Sequence, residues 1–451
     1  MIVDILSSLI VFIYLCIKSY RRPVVFFALF FVLFFFFWRL LSSAYVSSLE
    51  GLIPTEGGNS IIIYNRYSGL AFAACIFITS FAWFWVFSLG KIGKSQLPSN
   101  TRRFSNQLSK TLVEVFYLAC IFFVIGLFIS LFLIGIIPLF SGMERFEYAE
   151  NHAGILHQFL FSHGRAGIFW MGAFFIRPVL ENKMPDGRFL FLLGIILFYA
   201  FIVGHRFSGF FQFISFFILP SSLFFLINKE LRKIIIKKIF PYISILLLVL
   251  LLTVIYAILN SYLNVRVSNA ELTGLEALTE RLFVQPVHLW WATWDRLLDD
   301  VWQPAFAITF IFSTALVGGR NAGIQYLMVQ ELGIDRAEEL LLQGTQLQGG
   351  YPEILFEVFG IYYGFIAVFF TALLVAYSAK LIVLNFAAGK VIATTAALYV
   401  FQGISLVILG GMIEFFVAWT YWVKVSALIL AMIFEPSIYS YNKLKTEHQK
   451  Q

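Results

Sequence analysis

Ten arginines but almost no lysines fall in the polar breaks assigned below to one side of a membrane, Arg39, Arg145, Arg206, Arg281 and Arg320 among them. A planar guanidinium grips phosphate through two parallel hydrogen bonds and keeps its charge when partly buried, whereas lysine is a point charge that burial neutralises more readily. An anionic phosphate at a membrane surface is the ligand this composition suits; pairing with nearby Asp and Glu is the plainer use of any single arginine. The sharpest position is the turn Gly204-His205-Arg206-Phe207-Ser208-Gly209, whose glycines permit close backbone approach. Arg145 follows the exit Ile137-Pro138-Leu139-Phe140 on the same side, with His152, His157, His163 and Arg165 soon after. Further on, Arg281 and His288 are seven residues apart in an amphipathic stretch and therefore share a helix face. After Pro352, Glu353, Glu357, Gly360 and Gly364 recur at i, i+4, i+7 and i+11, which turns both carboxylates and both glycines one way. Acids in a helical first turn are also favoured by the macrodipole alone, and glycines at such spacing also serve close helix packing.

Metal chemistry is not indicated. No HExxH or comparably tight His/acid pair occurs among the outer histidines, and Cys16, Cys75 and Cys120 are scattered singly in apolar runs, so neither a metal centre nor a disulfide framework is expected. No cofactor motif is present either. Trp290, Trp291, Trp294 and Trp302 form a cluster that serves as an interfacial aromatic belt or as a stacking platform for sugar rings. Glu414 and Lys424, in or near the last apolar run, either mark a cavity wall or, for Lys424, snorkel to the interface.

The elements that must position these groups are apolar. Of 451 residues, 60% are hydrophobic, 19% aromatic and 13% charged, well outside the range of soluble domains. The pattern predicts an all-α polytopic membrane protein with about eleven transmembrane helices, or twelve if the short run Ala305–Val317 crosses; at about thirteen residues that run suits a re-entrant or interfacial helix better. Spans are expected within residues 1–262 (about eight, including Pro23 to near Ser47, Ile61–Leu89, Leu156–Leu180 and Tyr242–Tyr262) and within 352–434 (Pro352–Tyr377, Val391–Leu409 and Met412–Phe434). Between them, 263–351 is a lysine-free outer loop, and 435–451 a tail. Lys91, Lys94, Arg102, Arg103 and Lys110 fill one connection with no acid, which sets it in the cytoplasm; alternation then leaves only Lys424 of fifteen lysines outside the cytoplasmic zone. The amino terminus is accordingly expected in the periplasm and the carboxyl terminus in the cytoplasm. A net charge of +7 is explained by this sorting, without nucleic acid as a partner.

This arrangement resembles the O-antigen polymerase family of bacterial inner membranes. The residues that carry the resemblance are Ile137-Pro138-Leu139-Phe140 with Arg145 following, the Gly204–Arg206 hairpin, the long arginine-bearing loop, and Gly349-Gly350-Tyr351-Pro352-Glu353 leading into a glycine-bearing span. Pro352, Glu357 and Gly364 follow the family's Pro–Glu–Gly order with an altered final spacing. The resemblance implies a GT-C-like architecture and polymerisation of undecaprenyl-diphosphate-linked oligosaccharides at the periplasmic face of the bilayer, with a chain-length-regulating co-polymerase (Wzz type) as partner. On that footing Arg206, Arg281 and Arg320 hold the donor diphosphate, Arg145 and His157 help to bind the acceptor, and Glu353 or His288 takes the hydroxyl proton. Metal-dependent GT-C enzymes usually carry an Asp-x-Asp in the first outer loop; there is none here. An O-antigen ligase using the same donor, and a repeat-unit flippase, are the competing expectations.

Overall fold

The computed structural model describes residues 1–49, 51–54, 60–63, 66–89, 110–141, 145–181, 183–205, 207–223, 241, 244, 279–316, 321–342, 347 and 349–435. Its helices are α1 (Ile2–Arg21), α2 (Pro23–Ala28), α3 (Phe30–Val46), α4 (Ser68–Ser88), α5 (Lys110–Ile134), α6 (Pro138–Ser141), α7 (Arg145–Asn151), α8 (Ile155–Ile176), α9 (Gly187–Ile202) and α10 (Phe207–Ile218). After a stretch outside the described residues come α11 (Gln285–Leu298), α12 (Pro304–Leu316), α13 (Ala322–Leu332), α14 (Ile334–Leu342), α15 (Glu353–Ala387), α16 (Val391–Gly410) and α17 (Trp419–Phe434). Among the described residues, six helical stretches are long and apolar enough to cross a membrane: Ile2–Arg21, Ser68–Ser88, Thr111–Ser141, Ile155–Val179, Glu353–Ala387 and Val391–Gly410. Their outward faces are apolar too; on α5, Phe122, Phe132 and Leu133 are 70%, 69% and 83% exposed. A soluble protein does not leave such a contiguous face in water, so the chain is a helical membrane protein.

At the centre α15 packs against α4 and α16, α1 lies against α3 and α4, and α17 closes on α16. A neighbouring group pairs α8 with α9 and α10, and α5 with α9. Three stretches depart from the expected spans. The Pro23 run is two helices, because Leu29 leaves helical geometry (φ −120°, ψ 25°). The run expected to cross from Ile61 begins its helix only at Ser68. Residues Ser60–Ile63 are instead a strand paired antiparallel with Gly51–Pro54, Leu52 opposite Ile62 and Ile53 opposite Ile61, a use of β-branched side chains that apolarity alone does not separate from a span. The last run starts with a 3-10 turn, Ile413–Phe416, and becomes α-helical at Trp419. Conversely α15, at 35 residues, continues ten residues beyond the expected Tyr377. The short run around 305–317 forms α12 as a separate 13-residue helix. The expected span Tyr242–Tyr262 lies almost wholly outside the described residues.

Charges sort to the two ends of the bundle. At one end cations cap helix carboxyl termini, where the macrodipole favours them. There Arg22 Nη1 donates to the Phe84 carbonyl (3.0 Å), Lys380 Nζ to the carbonyls of Val86 (2.9 Å) and Leu89, and Lys390 Nζ to that of Met432 (2.7 Å). At the other end Asp4 Oδ1 accepts the Leu70 amide at the start of α4 (2.9 Å), and carboxylates and guanidiniums gather near the start of α15. That end is locked by three backbones in direct contact. A Cβ on Gly323 would meet the Gly411 carbonyl oxygen at 2.2 Å, one on Gly350 would meet the Gly410 carbonyl carbon at 2.4 Å, and one on Gly411 would meet the Gly350 carbonyl oxygen at 2.4 Å. Gly411 also sits at φ 62°, the left-handed cap that ends α16. Gly411→Ala is therefore expected to lower stability by about 2–4 kcal/mol, since backbone cannot rotate away as a side chain does. Gly194→Ala, in α9 with nothing within 4 Å of its Cβ position, should be neutral or slightly stabilising. Thermal unfolding of the two variants in detergent, followed by fluorescence, makes the comparison.

Candidate functional site

Two polar clusters meet at the first turns of α15, and the glutamates expected to share a face supply one each. Glu353, Glu357, Gly360 and Gly364 are all buried, as their spacing requires. Gly360 nevertheless breaks the helix (φ 71°, ψ −174°), with the Trp302 ring 2.8 Å from where its Cβ would be.

The first cluster surrounds Arg39 of α3, which is fully buried. Its Nε donates to the Pro286 carbonyl at 2.6 Å, Nη1 to the Tyr351 carbonyl and Nη2 to Glu353 Oε1. Aromatic faces flank the guanidinium, Phe72 at 4.7 Å and Phe35 at 5.5 Å. The other Glu353 oxygen accepts the Gly350 amide at 3.1 Å. Both carboxylate oxygens are thus engaged in a side chain of 0% exposure, so Glu353 reaches no acceptor hydroxyl in this conformation; it positions the 349–353 turn. His288 is also buried. Its Nδ1 lies 3.2 Å from the Gln285 carbonyl, which can only accept, so the proton is on Nδ1 and the lone pair on Nε2. Burial first, and the Arg39 charge with it, hold the imidazole neutral by pulling its pKa down to about 4.

Arg281 lies beside this cluster, on a π-helical turn, Glu280–Val284, that leads into α11. The turn is fastened to α3 through the Leu282 carbonyl, which accepts from Trp38 Nε1 (2.7 Å) and Ser42 Oγ (3.3 Å). The tryptophans expected to form a belt or a sugar platform are core instead: Trp290, Trp291 and Trp294 are buried. Trp290 and Trp294 donate their indole N–H to the carbonyls of Ser68 (2.7 Å) and Arg66 (3.1 Å) at the start of α4. Amphipathic periodicity foresees a buried stripe without saying that it carries the indoles.

The second cluster was not foreseen. Arg296, near the end of α11, donates from Nε (3.0 Å) and Nη2 (2.7 Å) to Glu357 Oε1, from Nη2 to Thr293 Oγ1 (3.2 Å), and from Nη1 to Glu331 Oε2 of α13 (3.4 Å). The Tyr326 hydroxyl donates to Glu357 Oε2 at 3.4 Å, and Arg66 binds Asp299 at 2.6 Å. Asp295 stands among these groups with a buried Oδ1 that accepts no hydrogen bond. Its carboxyl is pushed up to about 6, mainly by burial, with Asp299 and Glu331 adding and Arg66 and Arg296 opposing. Burial likewise raises Glu331. Four acids against two arginines leave the cluster with an excess of acids, and one of its carboxylates is basic enough to take a proton near neutral pH.

The remaining expected residues are dispersed. His157, buried on α8, has its Nδ1 3.0 Å from the Tyr199 hydroxyl and packs against Phe161, with His205 6.1 Å away ring to ring, so it belongs to the α8–α9–α10 group and not to the start of α15. Arg145 opens α7, but its side chain, like the whole of Arg206 and Arg320, lies outside the described residues. Arg165 is in the middle of α8 and not in an outer connection. Glu414 is no cavity wall: its Oε1 accepts the Ala322 amide (3.2 Å) at the amino terminus of α13. Among the described residues no group of three or more His, Cys, Asp or Glu could hold a metal ion.

Residues 318–423 match a family of unknown function (DUF6418). This stretch contains Tyr326, Glu331, Glu353, Glu357 and Glu414, whereas Arg39, His288, Asp295 and Arg296 come from outside it. No curated protein and no solved structure matches the chain.

Two outcomes follow from the clusters. Replacing Arg39 by Gln or Lys is expected to destabilise by about 3–5 kcal/mol, because Glu353 is left buried without a matching fork, and Lys cannot serve three acceptors set in one plane; denaturation in detergent measures it. The His288 pKa is lower in the folded than in the unfolded chain. Its contribution is therefore complete above pH 6.5 and is lost as pH falls toward 4, by on the order of 3 kcal/mol. The stability difference between wild type and His288→Gln, followed from pH 8 to pH 4, should shrink or reverse over that window; a flat difference would show that the imidazole titrates alike in the folded and unfolded chain.

Proposed function

We propose that this chain is a metal-independent membrane glycosyltransferase that polymerises oligosaccharides carried on undecaprenyl diphosphate, acting at the outer face of a bacterial inner membrane with about eleven spans. One observation carries most of the weight: at the end of the bundle opposite the lysine-capped termini, Asp295 holds a basic carboxylate with a buried, unbonded oxygen beside Arg296 and Glu331. Glycosyl transfer with inversion needs such a group. The acceptor hydroxyl loses its proton to the base as its oxygen bonds to the anomeric carbon of the donor, while the bond from that carbon to the diphosphate oxygen breaks and the electron pair leaves with the lipid diphosphate. Guanidiniums supply the charge stabilisation; Arg281 and, by sequence, Arg206 and Arg320 are the donors we assign to the diphosphate. Asp295 takes the base role in place of Glu353 and His288, whose burial ties them to Arg39. Arg145 and His157 remain the acceptor-side assignment, with His157 acting through its own helix group. A Wzz-type chain-length regulator is the partner such a polymerase implies.

A second reading, movement of the same lipid-linked unit across the membrane, is favoured by the helix breaks at Leu29 and Gly360 and by Arg165 in mid-span, features common in transporters. Incubation of purified protein with a synthetic undecaprenyl-diphosphate repeat unit, without metal, separates the two. A ladder of oligomers is expected, and Asp295→Asn should slow its formation about 100- to 10,000-fold without shifting the melting midpoint downward. Unchanged substrate in a sample that binds it would discard polymerisation; scrambling of the lipid in proteoliposomes would then establish transport. A ladder undiminished in Asp295→Asn would remove the base assignment alone.

A further inference from the structure

Arg165, half-buried, is the exception among the guanidiniums held inside the bundle. Arg39 and Arg296 each have carboxylate and oxygen partners, whereas Arg165 makes no hydrogen bond or ion pair with any described residue, and its Nε is buried without an acceptor. It lies midway along α8, about 15 Å from either end at 1.5 Å per residue. Holding a cation at such depth costs on the order of 2.5–3.5 kcal/mol on the insertion scale, so an unpaired one marks a ligand more often than a packing choice.

Arg165 lines a small cavity. Its lining brings together Gln212 and Ser215 of α10, Gln402 and Ser405 of α16, and the α2–α3 break from Ala28 to Val32. The hydroxyls of Ser215 and Ser405 are spent on the carbonyls of Phe211 (2.5 Å) and Gln402 (2.9 Å). The side-chain amides of Gln212 and Gln402 have no hydrogen-bond partner among the described residues. The break at Leu29 adds the first turn of α3, whose leading N–H groups have no intrahelical acceptor and whose dipole favours an anion. Arg165, two glutamines and a helix start therefore share one lining, with no acid among its residues. The rest of the wall is phenylalanine, leucine, valine and alanine. The cavity holds about 20 Å³, and an anionic oxygen of a phosphate is the group that answers its donors.

We propose that the Arg165 cavity binds the phosphate group of a membrane lipid, with the guanidinium as its counter-ion and Gln212 and Gln402 as additional donors. This deepens the functional reading in that the lipid-diphosphate substrate carries the same group; the site itself requires neither polymerisation nor transport. Entry of the phosphate replaces an uncompensated buried charge by a paired one, so the lipid stabilises the fold.

Wild type, Arg165→Gln and Arg165→Lys in detergent would each be titrated with undecaprenyl phosphate, phosphatidylglycerol, phosphatidylcholine and inorganic phosphate, reading the melting midpoint and, by native mass spectrometry, the bound lipid. Undecaprenyl phosphate should raise the midpoint of wild type and, more weakly, of Arg165→Lys, with affinity for Arg165→Gln about 10- to 100-fold lower. Phosphatidylcholine should not distinguish wild type from Arg165→Gln. Equal binding of undecaprenyl phosphate by wild type and Arg165→Gln, or none by either, overturns the proposal. An equal shift from inorganic phosphate alone overturns the lipid as its source. Without lipid, Arg165→Met should melt above wild type because the uncompensated charge is gone; a lower midpoint would make the arginine structural and also overturn the site. Asp295→Asn should bind the lipid as wild type does, so loss of the polymerase assignment would leave this result standing, and the reverse holds for Arg165→Gln.

Discussion

A guanidinium withdrawn from water must find its partners inside the protein, and at Arg39 that demand organises one end of the molecule. Its three donor directions reach α11 through the Pro286 carbonyl, the 349–353 turn through the Tyr351 carbonyl, and the first residue of α15 through Glu353. Each partner lies more than two hundred residues along the chain from Arg39, so the pair sets the registration of three distant segments at once. Buried ion pairs contribute little net stability over an apolar substitute, but misplacing one partner is expensive. The value of this one is geometric. With the 349–353 turn fixed, the next turn of α15 delivers Glu357 to Arg296, and the second cluster assembles.

The two clusters divide the work that sequence spacing assigned to one. Glu353 and His288 were sound candidates by residue type and helix face, and both do face inward. Their surroundings are what change their role: beside Arg39 the carboxylate is saturated, and burial, with the Arg39 charge adding, keeps the imidazole from protonating. At Asp295 and Glu331 burial acts on carboxylates instead and raises their proton affinity, with neighbouring acids adding to it and arginines opposing.

What the sequence made legible is what depends on local pattern. Apolar runs predicted the long helices, lysine placement predicted which termini gather at one end, and i, i+4, i+7 spacing predicted the inward face of α15. The pairing of 51–54 with 60–63 departs from the expected span because three consecutive isoleucines, Ile61 to Ile63, read alike in a strand and a span. The break at Gly360 was missed because a glycine is compatible with a straight helix as well as with a positive φ. The Arg296–Glu357 pair joins residues 61 apart in sequence, and the Arg39–Glu353 pair 314 apart, so no spacing rule reaches them. Arg165 fell within the expected span Leu156–Leu180 while being grouped with the outer cations, and α8 places it midway along the helix.

The boundary of the family match has its own implication for protein engineering. Residues 318–423 supply Glu331, Glu353 and Glu357, while the cations that neutralise them, Arg39 and Arg296, belong to the remainder of the chain. A chimaera that grafts this segment onto another framework transfers three inward carboxylates without their countercharges. Such grafts will succeed in step with whether the recipient already offers an arginine on the equivalent of α3 and another near the end of α11, which makes those two positions, more than overall similarity, the criterion for choosing recipients.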